Sequence, residues 1–177
     1  MTTLVRAATR DDAAAIAQVR VETWRAAYAD LIDQAVLDRL DPAREAERRR
    51  ANWDAYHSDP RSVDLVAVRG ENVIGWATAG PAEDPALADH GQLFALYVVP
   101  RAWSTGAGHA LIDAAEGRLR GAGFTRALLW VLDGNDRAAS FYESHGWHED
   151  GGTLIDDRLV GGSAADALHE RRRVKTL

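Results

Sequence analysis

The residues able to do chemistry are concentrated between Leu93 and Trp147. An apolar run, Leu93-Phe94-Ala95-Leu96-Tyr97-Val98-Val99, is stopped by Pro100. It is followed by Arg101-Ala102-Trp103-Ser104-Thr105-Gly106-Ala107-Gly108 and then by a helical pattern. A strand, a small-residue turn and a helix, in that order, make a phosphate cradle. Gly106 and Gly108 lack Cβ atoms, so the backbone can approach a ligand closely and adopt positive φ. The N–H groups of the helix's first turn have no intrahelical partners and carry partial positive charge, which suits a diphosphate. Gly-x-Gly after a strand also occurs in plain turns, so the glycines alone leave both readings open.

A second apolar strand, Ala127 to Leu132, leads to Asn135-Asp136-Arg137-Ala138-Ala139-Ser140-Phe141-Tyr142-Glu143-Ser144-His145-Gly146-Trp147. Together the two segments resemble the GCN5-related N-acetyltransferase (GNAT) family. Its signature is a strand, a Pro, a turn of the type Gln/Arg/Trp-x-x-Gly-x-Gly/Ala, a helix and a strand. It closes with Asn-x-x-Ala-x-x-Phe-Tyr-x-x-x-Gly-Phe/Trp. Both motifs occur here in order and at compatible spacing. The resemblance implies an α/β (α+β) GNAT fold: a mixed, mostly antiparallel central sheet splayed between two parallel strands, with helices on both faces. The order of elements matches from about Leu4 to Thr176, so a single GNAT N-acetyltransferase domain over residues 1–177 is expected.

The resemblance also implies a co-substrate, acetyl-CoA. Its pantetheine arm would pair with backbone groups of Leu96 and Val98. Its pyrophosphate would lie on the turn opened by Trp103, against the N–H groups of Ser104, Thr105, Gly106, Ala107, Gly108 and His109. The residues themselves support only the second contact. Asn135 is expected to bond the pantetheine amides, and it also suits a helix cap. Arg137 or Arg101 can meet the 3′-phosphate or be plain surface charge. No metal site is expected.

Acetylation of an amine by a thioester needs an unprotonated nitrogen, a polarised carbonyl, a proton for the thiolate and alignment of the reactants. The N–H of Val98 can polarise the carbonyl. Tyr142 is the candidate proton donor to the thiolate, because the family's Tyr at this motif position lies near the sulfur. Phe141 and Trp147 read as core. Many relatives carry Glu where this chain has Gln92, and an amide cannot take a proton at neutral pH. Glu22, Asp84, Asp89 and His90 are substitutes, each also readable as a solvated side chain. Ser104 stands where close relatives often have Gly, and Trp103 replaces the commoner Gln or Arg.

The sequence has no cysteine and no activated Ser, so direct attack in a ternary complex is expected rather than a covalent intermediate. The competing reading is a non-catalytic acyl-CoA-binding module of the same fold, for sensing or regulation, and Gln92 is its best support. A dinucleotide-binding protein is disfavoured: the third Gly of Gly-x-Gly-x-x-Gly is absent, and so is a clear acidic ribose partner.

The elements that must position these residues follow from periodicity. Thr3 to Ala8 reads as an edge strand, and Thr9 can cap the helix that follows. Ala13, Ile16, Ala17, Trp24 and Ala27 share one face of that helix. Trp24 and Tyr28 lie one turn apart there, as core or as a wall of the acceptor pocket. Asp33 to Leu40 and a segment opened by Pro42 read as further helices. Val63 to Arg69 and Val73 to Ala79 form a hairpin, and Gly80-Pro81 is expected to end it. The cradle helix runs from Gly106 to Gly121. Thr125 to Leu132, Trp147 to Ile155 and Ala167 to Leu177 read as strands, with a hairpin tip at Asp156 to Gly162. Arg171-Arg172-Arg173 read as ordinary edge-strand charge.

Net charge is −6, which argues against non-specific nucleic-acid binding and is compatible with an amine acceptor, small molecule or peptide. No apolar run approaches the ~20 residues that span a bilayer, and no signal-peptide pattern opens the chain. A cytoplasmic protein is expected, and the resemblance allows a homodimer.

Overall fold

The computed structural model describes residues 2–156 and 167–177. Among them the strands are β1 (Leu4–Ala7), β2 (Val63–Arg69), β3 (Asn72–Pro81), β4 (Gly91–Val98), β5 (Arg126–Leu132), β6 (His148–Asp156) and β7 (Leu168–Thr176). They form one sheet in the order β1-β2-β3-β4-β5-β7-β6. Every neighbouring pair is antiparallel except β4 and β5. That parallel pair needs a long crossover, which helix α5 (Ala107–Gly121) supplies.

Successive residues of β3 show why helices lie on both faces. A Cβ on Gly75 would sit 2.8 Å from Leu111 of α5. The next residue, Trp76, lies under Arg49 of helix α3 (Pro42–Ala51), with the guanidinium 4.3 Å from the ring centroid. Adjacent strand residues point to opposite faces, so α5 covers one side and α3 the other. Helix α1 (Ala13–Ala27) packs with α3. Coverage on both faces explains the near-continuous apolar runs of β2 and β3.

Polar side chains pin this frame. Trp147 Nε1 donates to Glu116 at 3.0 Å, and Lys175 Nζ donates to both oxygens of Glu116 at 2.7 Å. This ties α5 to β7 and to the end of helix α6 (Asp136–Ser144). Asp12 accepts two bonds from Arg6, at 2.7 and 2.8 Å, and one from the Thr9 N–H at 2.8 Å. The Arg6 guanidinium lowers the Asp12 carboxyl from 3.8 to about 2. A depressed carboxylate contributes stability that is complete above its unfolded value and lost as pH falls through its folded value. Wild type should therefore lose melting temperature between pH 3.8 and about 2 more steeply than Asp12→Asn, by a few °C. Parallel profiles would remove Asp12 from the acid limb.

Three expectations change. β3 continues past Ala79 through Gly80 and Pro81, which pair with Gln92 and Gly91. The helix expected from Asp33 to Leu40 shortens to α2 (Gln34–Asp38), because Asp33 caps it by accepting from the Ala35 N–H at 2.7 Å. Strand β7 is not an edge: it lies between β5 and β6. Arg173 is accordingly buried, donating to Glu143 at 2.9 Å and to Glu149 at 3.1 Å. A buried guanidinium is tolerated only with such partners. The hairpin tip expected over 156–162 falls almost wholly outside the described residues. Trp53 opens the short helix α4 (Trp53–Tyr56) and packs against the main core.

Candidate active site

The site begins where two strands part. β4 pairs with β5 only at Gly91↔Ala127, Gln92↔Leu128 and Leu93↔Leu129. Beyond Leu93, β4 stays with β3 and β5 stays with β7. The Val99 N–H donates to Ile74 O at 2.9 Å, and Trp76 lies opposite Tyr97. Antiparallel bonding alternates, so Val99, Tyr97 and Ala95 turn their amides toward β3. Leu96 and Val98 turn theirs into the gap. Consistently, Val98 O accepts from Trp103 Nε1 at 2.6 Å and from Thr23 Oγ1 at 3.1 Å, neither of them on β3. The Val98 N–H and both amide groups of Leu96 remain directed at the gap. A cavity of about 470 Å³ fills it, walled by Leu93 to Val98 on one flank and Trp130 to Leu132 on the other.

At one mouth stands the cradle. Gly106 caps α5 at φ +89°, and a Cβ there would meet nothing within 4 Å. Its glycine is needed for conformation, and the space around it is open. Ser104 also has positive φ, at 58°, the one non-glycine among the described residues to do so. The Ala110 N–H bonds Gly106 O at 3.0 Å, which leaves the amides of Ala107, Gly108 and His109 as open donors. Trp103, Ser104, Gly106, Gly108 and His109 line the cavity. Thr105 and Ala107 do not. Thr105 Oγ1 donates to Ala102 O at 2.7 Å and accepts from Arg69 at 2.9 Å, tying the turn to the end of β2. The Ala107 side chain is core. Gly108 is small for a reason other than close ligand approach: a Cβ there would lie 3.3 Å from the Phe141 ring.

Helix α6 brings the second motif to the same cavity. Asn135 Oδ1 accepts from the Ala138 N–H at 3.2 Å as a helix cap, and Asn135 also lines the gap. Arg137 stacks on Trp103, its guanidinium 3.9 Å from the ring centroid, and both face the cavity. Arg101 instead pairs with Glu22 at 2.7 Å and does not line it. Phe141, expected as core, is a lining residue, whereas Trp147 is core at 1% exposure. Nδ1 of His109 and Nε2 of His145 lie 2.7 Å apart beside Phe141, a pairing the sequence did not signal.

Tyr142 is buried, lines the cavity and makes no hydrogen bond among the described residues. Burial pushes its phenol well above the ordinary value, with the nearby Tyr97 phenol adding to the effect. The O–H is therefore present at any ordinary pH. A phenol is a weaker acid than a thiol, about 10 against about 8.5. What this geometry offers the cavity is thus a neutral O–H group.

The far end of the cavity is aromatic. Trp24 and Tyr28 line it, edge to face at 5.0 Å, and Tyr97 joins them. Leu168 and Glu170 of β7 complete this end. Tyr97 and Glu170 were not singled out from the sequence. The strand pattern around Tyr97 could have flagged it, but nothing local marks Glu170. The candidate bases go elsewhere. Gln92 Oε1 accepts from the Glu83 N–H at 3.2 Å, Glu22 holds Arg101, Asp84 caps a turn, and Asp89 meets His90 at 2.6 Å. None of these lines the cavity; among the described residues Glu170 is its one carboxylate.

Comparison with known proteins agrees with this architecture. The acetyltransferase (GNAT) family model matches residues 19–147. An uncharacterized N-acetyltransferase of Bacillus subtilis (strain 168), YuaI, is 30% identical over 144 residues, covering 80% of this chain and 78% of that protein. A probable N-acetyltransferase of Mycobacterium tuberculosis is 27% identical over 164 residues, covering 89% and 86%. Among solved structures, the PaiA N-acetyltransferase of Thermoplasma acidophilum in complex with coenzyme A superposes with a TM-score of 0.77. It is 18% identical and covers 100% of both chains. No helix among the described residues is long and apolar enough to cross a membrane.

Proposed function

Because the chain belongs to the acetyltransferase (GNAT) family, we propose that it transfers an acetyl group from acetyl-CoA to a primary amine by direct attack in a ternary complex. One observation carries this reading: the gap-facing amides of Leu96 and Val98 share a cavity with the open N–H groups at the start of α5. An extended, amide-bearing arm ending in a diphosphate fits that pair of features. The open space at Gly106 keeps the cradle clear for it. The co-substrate brings an activated acyl group. The protein holds the diphosphate on amides of the 104–109 segment and receives Arg137 as a further cation. Asn135 and the β4 edge orient the arm. The Val98 N–H polarises the reacting carbonyl, a role worth several kcal/mol when the donor is fixed in place. Tyr142 donates its O–H toward the departing sulfur.

A second reading, an acyl-CoA-binding module without turnover, is favoured by Gln92: it is an amide, and it is bonded to Glu83 away from the cavity. Thermal-shift titration followed by a thiol-release assay tests both. Acetyl-CoA should raise the melting temperature, NAD should not, and amines should then release thiol. Stabilisation with no release for any amine would leave the module reading. No stabilisation would remove both.

A further inference from the structure

We propose that His109 and His145 act as a coupled pair beside the cradle, so that the co-substrate's diphosphate binds with uptake of one proton by the two imidazoles. This deepens the acetyl-transfer reading and rests on it for the presence of a diphosphate. His109 is the third residue of α5, is exposed and lines the cavity. His145 caps the C-terminal end of α6 and does not line it. Nδ1 of His109 lies 2.7 Å from Nε2 of His145, with ring centroids 4.8 Å apart. Phe141 packs against both rings, at 5.5 and 4.9 Å. Of two imidazole nitrogens this close, one donates its hydrogen and the other must keep its lone pair. The pair can therefore take one extra proton on an outer nitrogen, His109 Nε2 or His145 Nδ1, and keep its bond. A second would put hydrogens on both facing nitrogens and part the rings.

The groups around the pair set what the extra proton costs. Burial lowers His145 most, and His109 and Lys175 of β7 lower it further; Asp113 and Glu116 of α5 act the other way. Glu116 and Lys175 are bonded to each other at 2.7 Å, so their influences oppose. The Asp113 carboxylate is 3.9 Å from His145 Nδ1 and largely exposed. The net effect holds His145 below its ordinary value. His109 stands in the first turn of α5, whose positive end disfavours a cation. Both outer nitrogens are thus poor places for a proton in the free protein. A diphosphate on the same first turn reverses this at His109. It brings negative charge beside the ring, and the resulting imidazolium donates to His145 in a charge-assisted bond. Arg137, stacked on Trp103 at the same end, stays charged throughout, so it adds attraction without pH dependence.

Titration calorimetry with the full chain tests this, using dephospho-coenzyme A, with coenzyme A alongside. The probe keeps the diphosphate and lacks the 3′-phosphate, the ligand group that itself titrates near neutral pH. From about pH 8 to about pH 6.5, wild type should bind the probe about threefold more tightly per pH unit, against about tenfold for uptake of one whole proton. The heat of binding should also differ between phosphate and Tris buffers in the sense of proton uptake. His109→Gln, which removes an exposed ring, should hold one affinity to within about 1.5-fold over that range. His145→Ala should move the dependence to lower pH, because His109 then has no ring to donate to. A wild-type slope in His109→Gln places the proton elsewhere and overturns the inference. A wild-type slope in His145→Ala means that His109 acts alone, which overturns the pairing. Binding of coenzyme A but not of the probe means that the diphosphate is not what this turn holds, and overturns it too. Failure of both ligands to bind at any pH would instead strike the acetyl-transfer reading, and this inference with it.

Discussion

Tyr142→Phe is expected to lower kcat by about a hundredfold while leaving acetyl-CoA affinity within about twofold. The substitution removes one oxygen that makes no hydrogen bond among the described residues, so no internal partner is orphaned. The ring's packing against Phe141 and Trp147, with centroids 5.3 and 6.4 Å away, is kept. Melting temperature should therefore hold. In the proposed mechanism the O–H acts when negative charge develops on sulfur, which places the cost on turnover and not on binding. The direction of the pKa adds a second readout. Because burial raises the phenol, Tyr142 should not deprotonate within the ordinary assay range. Any alkaline loss of activity below about pH 10 should persist unchanged in Tyr142→Phe. Steady-state kinetics showing wild-type kcat in the variant would take Tyr142 out of the mechanism.

Gly106→Val should cost about ten- to a hundredfold in acetyl-CoA affinity with the fold retained. At φ +89° a β-branched residue is strained by about 1–3 kcal/mol. That strain is relieved by rotating the turn, which re-aims the amides of the cradle. Since a Cβ at Gly106 meets nothing within 4 Å, clash is not the cause, and the core should be spared. Gly108→Val makes the contrast. Its side chain would drive into Phe141 and push α6 away from α5, so it should lower melting temperature and disturb Tyr142 as well as binding. Equilibrium binding and thermal melts on the two variants separate these effects. Normal acetyl-CoA affinity in Gly106→Val would mean that the diphosphate does not rest on this turn.

Local features were legible without coordinates. The apolar run ending at Pro100, the glycines after it and the Asn135-to-Trp147 motif each depend on contacts within a few residues. Their elements stand within about two residues of expectation. The left-handed Gly106 and the capping role of Asn135 are of the same kind. The gap-facing amides of Leu96 and Val98, by contrast, were expected only through the family resemblance, and their direction follows from the β3–β4 register.

What tertiary structure alone decided involves residues far apart along the chain. Gly108 is small because Phe141, thirty-three positions later, packs on it. The arginines of β7 looked like edge charge, yet β7 inserts between β5 and β6, which buries Arg173 against two carboxylates. The same insertion carries Glu170 opposite Leu132 and into the cavity, while Gln92 turns away to bond the Glu83 amide. Periodicity in a sequence says which face of a strand a residue occupies. It does not say which strand lies alongside, because that is settled by burial summed over the whole sheet. The turn at the start of α5 could therefore be read from one stretch of chain, whereas the aromatic end of the cavity had to await the order of the strands.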